Sequence, residues 1–566
     1  MNRIRIHIVF GIVVLFSAAL SGRLFALQVY DHGFFQAFAR GQQQVFNEVA
    51  GERGKILARG LDGATVTLAA NRDWPKLYAV PGDIEDPSKI AYELASLFGL
   101  SEQDLLARLS KQDDPYEPIA EKLTDEQVLR VKELAQKGLV LSSERLRTYS
   151  QGDLAAHVLG FLAFGDGSAR SGVYGIESLY EDVLEGGSGL VEGERDAHGR
   201  VLAAFSRIIR PASPGGDVVL TIDPNIQHRA QRVLSEAVNR WDAVAGTVIV
   251  MEPGGAVRAM ANVPTFDPNH FSKQKNTAVF TNDAVSSLFE PGSVFKPITM
   301  AAAMETGSVG PQSTYENTGS LTFGSYTISN TLQQYNGTRT MTEVLTYSLN
   351  TGSVFAMQQL GKENYLAFLQ KLQLDQTTGI DLPAEATGDI KNLHTMRDIN
   401  FATAAFGQGI ALTPLGLVRS IAALANGGML PAPYVVDEIR HSDGSVTKPE
   451  RRQALQVFSS RTARLMSAML ARVVAEGTGK TARIDGWTIA GKTGTAQVPN
   501  RNAPGYSQET IHSFAGYFPA FAPRYVVLVK LDSPKVRYAE SSAAPAFRQI
   551  AEFLLSYAAI PPDQNP

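Results

Sequence analysis

The sequence predicts a mixed α/β (α+β) protein with one N-terminal membrane helix, a β-rich N-terminal region and a larger domain of helices and strands. Three observations lead to this prediction. The 566 residues are 44% hydrophobic and 19% charged, which suffices for large cores and excludes a disordered chain. Residues 6–22 form a mainly apolar run without Lys, Arg, Asp or Glu. From residue 218 to about residue 558, helical and strand patterns alternate without a clear linker.

Composition excludes several classes of function. The 52 basic and 56 acidic residues give a net charge of −4, so no basic excess is available for phosphates, which argues against nucleic acid as a partner. The absence of cysteine excludes disulfides, cysteine-ligated zinc, Fe–S clusters and a thiol nucleophile. The nine histidines show no ligand-like pair. We therefore infer neither a metal nor a cofactor.

Residues 1–28 are predicted to be a cytoplasmic stub followed by a transmembrane anchor. Arg3 and Arg5 precede the apolar run, and Arg23 follows it, close enough to the end to reach the headgroups. The positive-inside rule places the N-terminus in the cytoplasm and the rest of the chain outside the cytoplasmic membrane. A cleaved signal peptide is the alternative, since residues 17–22 offer small residues for cleavage, but the apolar pattern that continues through Leu27 and Val29 favours the anchor.

The remaining chain divides at a linker-like stretch, residues 213–217. Residues 29–212 combine glycine-punctuated β-type runs with polar-faced helices over residues 84–137. Residues 213–560 read as one large domain, and residues 561–566 as a frayed tail. No internal repeat or low-complexity tract is present.

The first candidate site motif is Ser293-x-x-Lys296. Pro291 and Gly292 lead into a helical run, so Ser293 is expected at a helix N-terminus, where backbone N–H groups are free and the dipole favours negative charge. A serine becomes a nucleophile beside a base, and a lysine serves when burial or a second cation lowers its pKa. The spacing alone is weak, because it recurs at Ser272/Lys275 and Ser445/Lys448 in polar, loop-like contexts.

Two further motifs follow downstream. Ser348-x-Asn350 lies 55 residues after Ser293; Ser348 would relay a proton and Asn350 hold a substrate amide, or the pair is an ordinary turn or helix cap. Lys492-Thr493-Gly494 reads as a strand with glycine where backbone must approach closely. Lys492 would supply a cation for a carboxylate and depress the pKa of Lys296.

Thr493 and Thr495 would supply hydroxyl groups. The N–H of Thr495 would join that of Ser293 as an oxyanion hole.

The segment 476–481 looks like the end of a phosphate-binding loop, but Val474 stands where glycine is needed and a helix precedes it. We interpret that segment as a helix C-cap and turn.

Ser-x-x-Lys, Ser-x-Asn and Lys-Thr-Gly in this order are the signature of penicilloyl-serine transferases. The chain resembles the class B penicillin-binding proteins, membrane-anchored D,D-transpeptidases of peptidoglycan synthesis. Glu52–Gly60 is similar to the family's entry to its N-terminal pedestal, with Ala58 where aspartate is usual. Further similar segments are residues 156–161, 175–180, 220–223 and 407–409. Residues 289–293, 378–383 and 532–535 look most like the division-type, FtsI-like branch, with the elongation type as the close alternative.

The resemblance implies a transpeptidase domain built on an antiparallel sheet flanked by helices, and a pedestal over residues 29–212. It implies catalytic Ser293, Lys296, Ser348 and Lys492, and substrate-binding Asn350, Thr493, Gly494 and Thr495. The expected substrates are stem peptides on lipid-linked nascent glycan, and the expected inhibitors are β-lactams. Expected partners are a SEDS-type glycosyltransferase and other divisome membrane proteins, and the expected location is the bacterial inner membrane, with a periplasmic catalytic domain.

Three rival functions share parts of this pattern. A β-lactamase carries the three motifs but usually lacks the long segment between the anchor and residue 210. A D,D-carboxypeptidase would pass the acyl group to water without cross-linking. A non-catalytic scaffold would act through the pedestal alone, and the intact Ser293, Lys296, Ser348 and Lys492 argue against it.

Overall fold

The computed structural model describes residues 2–26, 44–49, 51–111, 114, 116–164, 170–195, 201–331, 335–500 and 505–563. By contacts, the chain forms two compact units, one of Met1–Arg53 with Glu185–Gly215 and the other of Gly54–Leu184 with Gly216–Pro566. A contact-based unit and a functional domain are different divisions, so the boundaries expected at residues 29–212 and 213–560 stay a prediction.

The α-helices are α1 Asn2–Phe25, α2 Pro87–Phe98, α3 Glu102–Leu109, α4 Asp125–Glu133, α5 Ala156–Leu159, α6 Gly175–Leu179, α7 Glu181–Leu184, α8 Pro224–Arg240, α9 Asp283–Ser286, α10 Lys296–Glu305, α11 Met341–Thr346, α12 Asn350–Leu360, α13 Lys362–Lys371, α14 Asp398–Ala404, α15 Pro414–Ala425, α16 Ser460–Glu476 and α17 Ala543–Tyr557.

The strands are β1 Gln44–Val49, β2 Ile56–Arg59, β3 Thr65–Ala79, β4 Glu117–Ala120, β5 Leu139–Tyr149, β6 Phe161–Phe164, β7 Arg170–Val173, β8 Gly189–Arg195, β9 Val201–Arg210, β10 Asp217–Leu220, β11 Ala245–Met251, β12 Val257–Val263, β13 Thr314–Asn317, β14 Ser320–Phe323, β15 Tyr326–Ser329, β16 Gly337–Thr340, β17 Met429–Leu430, β18 Val436–Arg440, β19 Val446–Thr447, β20 Leu455–Gln456, β21 Ala490–Pro499, β22 Tyr506–Phe518 and β23 Tyr525–Asp532.

The first unit contains α1 and a three-stranded sheet in the order β1-β8-β9. Within α1, the 19 residues His7–Phe25 are long and apolar enough to cross a membrane by length and composition. At 1.5 Å per residue they extend about 28 Å, close to the thickness of a bilayer core. Their large apolar side chains are exposed in the protein itself, which fits the predicted anchor.

The second unit contains two large sheets. The first has seven strands in the order β19-β18-β10-β2-β3-β4, with β5 also paired to β3. Its β10 pairs parallel with β2, where Val218 faces Ile56, and antiparallel with β18. The glycine-punctuated segment after residue 50 and the segment after residue 216 therefore contribute strands to one sheet. Short helices α2 to α4 pack beside β3, β4 and β5 over a small separate core.

The second large sheet is antiparallel, in the order β12-β11-β23-β22-β21. Alternate residues of its central strands enter two different cores. Val248 and Val250 of β11 pack with α8 and α17, whereas Ile249 and Met251 pack on the opposite side with α10, α15 and α16. This three-layer arrangement confirms the predicted antiparallel sheet flanked by helices. It also buries α10, the helix that follows Ser293, against the sheet.

A buried histidine in α5 makes stability dependent on pH. His157 is 5% exposed, and its Nε2 donates to the carbonyl of Val279 at 3.0 Å. Burial lowers the pKa of His157 from 6.5 to about 4, so the unfolded chain takes up a proton first as the pH falls. This contribution is fully present above pH 6.5, is lost between pH 6.5 and 4, and amounts to about 3 kcal/mol.

Between pH 7 and pH 4.5, we expect a His157→Gln variant to lose less stability than the wild type, by about 2 kcal/mol in the free energy of unfolding measured by urea titration. Only the difference between the two pH values is compared, because the variant also changes packing. His228→Gln, at an exposed position of α8, is the control and should keep the wild-type pH dependence. Equal pH dependence in His157→Gln and the wild type would contradict the prediction.

Candidate active site

Ser293 lies in a short 3-10 helix, Gly292–Phe295, that runs directly into α10. Gly292 has a φ of +62°, and a Cβ there would lie 2.9 Å from the Cβ of Ala496. Its N–H donates to the carbonyl of Gly407 at 2.9 Å. The glycine therefore lets the turn fit between β21 and the loop around residue 407. Ser293 stands at the helix start as predicted, half-buried and at the surface of the site.

The second motif forms the connection between α11 and α12. Ser348 has a φ of +58°, a conformation that non-glycine residues rarely adopt and that concentrates at functional sites. In this conformation its carbonyl and its hydroxyl both face Lys296. Asn350 opens α12, half-buried, and its Nδ2 donates to the carbonyl of Ser329 at 2.8 Å. One hydrogen bond leaves the amide oxygen and the second N–H of Asn350 for a ligand.

The third motif lies on β21, as predicted, where Lys492 pairs with Ala515 of β22. A Cβ at Gly494 would lie 2.6 Å from the Cγ2 of Val294 and 3.0 Å from the carbonyl oxygen of Pro291. The strand thus packs directly on the turn that carries Ser293, and only glycine permits this approach. Among the described strands β21 pairs with β22 alone, so its other edge has unpaired backbone groups.

Two fully buried lysines converge on one serine hydroxyl. Lys296 Nζ donates to the Ser348 carbonyl at 2.6 Å and to Ser348 Oγ at 3.2 Å, and Lys492 Nζ donates to the same Oγ at 2.9 Å. Neither lysine has any exposed surface. The structure therefore joins Ser348 to Lys296, 52 positions earlier, and to Lys492, 144 positions later, in one hydrogen-bonded cluster. Lys296 directly follows the turn that carries Ser293.

Burial disfavours the charged forms of both lysines. Burial, and then the charge of Lys492, hold the pKa of Lys296 well below its usual range. Burial lowers the pKa of Lys492 to about 7, against an opposing contribution from the charge of Glu540. The lowered pKa makes Lys296 a better candidate base than an ordinary lysine, and Lys492 is poised between its two forms near pH 7.

The threonines of the third motif have different partners. Thr493 Oγ1 donates to Thr478 Oγ1 at 3.1 Å, while Thr495 Oγ1 accepts the N–H of Ala539 at 3.2 Å. Thr478 belongs to the segment 476–481, where α16 ends at Glu476 and no strand precedes it. The segment is therefore a helix end and turn, as the sequence predicts, and its Thr478 hydroxyl also belongs to the site. In the sequence, the one sign that Thr478 belongs to the site is its position 14 residues before Lys492.

Glu290 is a second residue that the sequence patterns did not single out for a role. Its carboxylate accepts the N–H of Gly409 and the hydroxyl of Tyr506, each at 3.0 Å. It thereby joins the nucleophile turn to the 407–409 loop and to the start of β22. Burial raises the pKa of Glu290. Its position three residues before Ser293 was the available signal, but no spacing rule identifies such a bridge.

We expect Gly494→Ala to lower the rate of acylation by a fluorescent penicillin by about a hundredfold, because the added methyl group displaces the Ser293 turn from β21. The rate is measured by gel fluorescence over time. Gly254→Ala is the matched control, since a Cβ there meets no atom within 4 Å and should change nothing. Acylation of Gly494→Ala at the wild-type rate would show that this close approach does not position Ser293.

The site as a whole combines a serine at a helix start with two buried lysines of lowered pKa that share a second serine hydroxyl, which defines a serine acyl-transfer centre. Residues 246–552 match the penicillin-binding protein transpeptidase domain, and residues 48–220 match the penicillin-binding protein dimerisation domain. The chain belongs to the penicillin-binding protein transpeptidase family. This confirms the predicted class of enzyme, the fold class and the resemblance to class B members.

Individual relatives agree with this family. The chain is 32% identical to stage V sporulation protein D of Bacillus subtilis, over 91% of this chain and 79% of that protein. It is 30% identical to the peptidoglycan D,D-transpeptidase FtsI homolog of Mesostigma viride, over 96% of this chain and 94% of that protein. It is also similar to the crystal structure of penicillin-binding protein 3 from Mycobacterium tuberculosis with aztreonam, at 28% identity and a TM-score of 0.71, covering 92% and 98% of the two chains.

Proposed function

We propose that this chain is a peptidoglycan D,D-transpeptidase that cross-links stem peptides through an acyl-enzyme on Ser293, in septal wall synthesis. The observation that carries the proposal is the Ser348 hydroxyl held between the side-chain Nζ atoms of Lys296 and Lys492, with Lys296 directly after the Ser293 turn. Such an arrangement provides a nucleophile, a base and a proton path in one water-poor cluster.

The reaction proceeds in two acyl transfers. Ser293 Oγ attacks the carbonyl between the two terminal D-alanines while neutral Lys296 takes its proton. The carbon–nitrogen bond then breaks, and the proton on Lys296 passes through Ser348 and Lys492 to the amine of the departing D-alanine. An amine of a second stem peptide attacks the acyl-enzyme, forms the cross-link and returns a proton to Ser293. A β-lactam mimics the donor and traps Ser293 as an ester.

Binding of the donor peptide uses the other motif residues. Lys492, Thr493 and Thr495 contact the terminal carboxylate, and the amide of Asn350 holds the peptide backbone. The N–H groups of Ser293 and Thr495 form the oxyanion hole. An extended peptide can pair with the open edge of β21, a common mode of peptide recognition, and Gly494 keeps that edge close to Ser293.

The cellular setting follows from α1 and the family. We propose that α1 is a single-pass anchor in the bacterial inner membrane, with its N-terminus in the cytoplasm and the catalytic domain in the periplasm. Residues 29–212 act as the pedestal and residues 213–560 as the transpeptidase domain. The substrate is lipid-linked nascent glycan, and the partners are a SEDS-type glycosyltransferase and other divisome membrane proteins.

Product analysis tests the proposed reaction. The detergent-solubilised chain is incubated with nascent glycan made from lipid-linked precursor, with and without penicillin, and the digested muropeptides are separated by mass. Penicillin-sensitive cross-linked dimers are expected. Monomers that have lost D-alanine would instead indicate a carboxypeptidase, and turnover of the penicillin itself a β-lactamase. Unchanged glycan with the partner glycosyltransferase present would favour a scaffold.

Imaging tests the proposed site of action. A fluorescent fusion expressed from the native locus is expected at mid-cell, with depletion producing filaments. The division-type motifs around Glu290 and Asp381 and the similarity to a protein named FtsI homolog support this expectation. A fusion spread along the sidewall, with rounding of depleted cells, would assign the chain to elongation instead.

A further inference from the structure

Thr478 follows the end of α16 and is fixed by its backbone beside the second motif. Its N–H donates to the carbonyl of Thr346 at 3.1 Å, and Thr346 is the last residue of α11. A Cβ at the preceding Gly477 would lie 2.3 Å from that same carbonyl oxygen. The turn is therefore held against α11 two residues before Ser348.

The side chain of Thr478 reaches in the other direction, to the third motif. Its Oγ1 accepts the hydroxyl of Thr493 at 3.1 Å and lies 3.5 Å from Lys492 Nζ. Lys492 Nζ also donates to Ser348 Oγ at 2.9 Å and to the carbonyl of Thr493 at 3.1 Å. One half-buried residue thus connects the end of α11 with two adjacent side chains of β21.

We propose that Thr478 is a positioning residue of the carboxylate-binding end of the site, a role that rests on the proposed transpeptidase function. It holds the Thr493 hydroxyl and the Lys492 ammonium in the geometry that Ser348 requires. A hydroxyl oxygen can accept two hydrogen bonds, so one threonine can receive both neighbours at once. No other hydroxyl group within the described residues is hydrogen-bonded to both Thr493 Oγ1 and Lys492 Nζ.

The charges around Lys492 make the role measurable. The ammonium of Lys492 faces Lys296 across Ser348, and the charge of Glu540 acts on it from the segment before α17. The oxygen of Thr478 is a neutral acceptor that favours the charged form of Lys492. Removing that oxygen should therefore lower the pKa of Lys492 further and weaken the binding of a substrate carboxylate by Lys492.

The test compares Thr478→Val, which keeps the shape of the side chain, with Thr478→Ser, which keeps the hydroxyl. Acylation of the full-length chain by a fluorescent penicillin is followed from pH 5.5 to 9, and the binding constant is separated from the acylation rate constant. Thr478→Val is expected to lose about tenfold in acylation efficiency, the scale of one hydrogen bond to a charged group. The part of its acylation pH profile that follows the titration of Lys492 is expected to shift to lower pH.

Thr478→Ser is expected to restore both the efficiency and the pH profile. Thr447→Val is the matched control, because the hydroxyl of Thr447 bonds His441 on an exposed hairpin remote from the site. Acylation of Thr478→Val with wild-type efficiency and pH profile would overturn the proposal. A Thr478→Ser variant as impaired as Thr478→Val would do so as well, because the hydroxyl would then not be the group that matters.

A crystal structure of Thr478→Val gives a readout that does not depend on the proposed function. The Thr493 side chain is expected in a different rotamer, with Lys492 Nζ displaced from Ser348 Oγ. Unchanged positions of both groups would overturn the positioning role. Absence of penicillin labelling in the wild type would instead count against the proposed function, while this comparison would still decide the role of Thr478.

Discussion

Replacing Ser293 with alanine is expected to abolish covalent labelling of the chain by a fluorescent penicillin. The reason is that the proposed ester bond forms on Ser293 Oγ, and the buried lysines that bond Ser348 cannot substitute for that atom. Loss of a serine nucleophile costs about six orders of magnitude in rate, so no band should appear on a denaturing gel. The full-length chain in detergent is used for the measurement.

The control for this prediction has the same sequence spacing elsewhere. Ser445 also precedes a lysine by three residues, but its hydroxyl donates to the carboxylate of Asp443 in an exposed loop. Ser445→Ala should be labelled as strongly as the wild type. A stable band on Ser293→Ala, with wild-type circular dichroism, would remove Ser293 from the role of nucleophile.

Replacing Arg147 with alanine is expected to destabilise the second compact unit by about 3–5 kcal/mol, the cost of leaving one partner of a buried ion pair without the other. Arg147 Nε donates to Glu177 Oε1 at 2.7 Å, and the two side chains are 3% and 0% exposed. Arg147 Nη1 also donates to the carbonyl of Gly54 at 2.7 Å. The pair therefore joins β5, α6 and the segment before β2.

Urea unfolding followed by fluorescence measures this loss. The double variant Arg147→Met, Glu177→Leu should recover much of the stability, because the cost arises mainly from a buried carboxylate that has lost the positive charge of Arg147. Arg548→Ala, which breaks an exposed pair with Glu552 on α17, should cost less than about 1 kcal/mol. An Arg147→Ala variant within 1 kcal/mol of the wild type would contradict the prediction.

The patterns along the chain predicted the elements that local physics controls. Period and composition indicated α1, the helix after Ser293 and the strand at Lys492, because each depends on neighbouring residues. The order of the three motifs identified the family, since chance rarely supplies residue types, order and helix-start context together. The family matches confirm that assignment.

Other features depend on residues that are far apart in sequence. The parallel pairing of β10 with β2 joins positions 162 residues apart, and no local period encodes it. The bridge from Glu290 to Gly409 and Tyr506 and the contact of Thr478 with Thr493 likewise arise only when separate segments pack together.

The residue types at the site could thus be read from the chain alone: a serine and a lysine one helical turn apart, a second serine, and a lysine on a strand. The protonation states of the two lysines could not be read from the sequence. The pKa values of Lys296 and Lys492 are lowered because folding removes both side chains from water and places them around one hydroxyl. Chemical identity is a property of the sequence, whereas desolvation and proximity are properties of the packed molecule, and these two set the chemistry of the site.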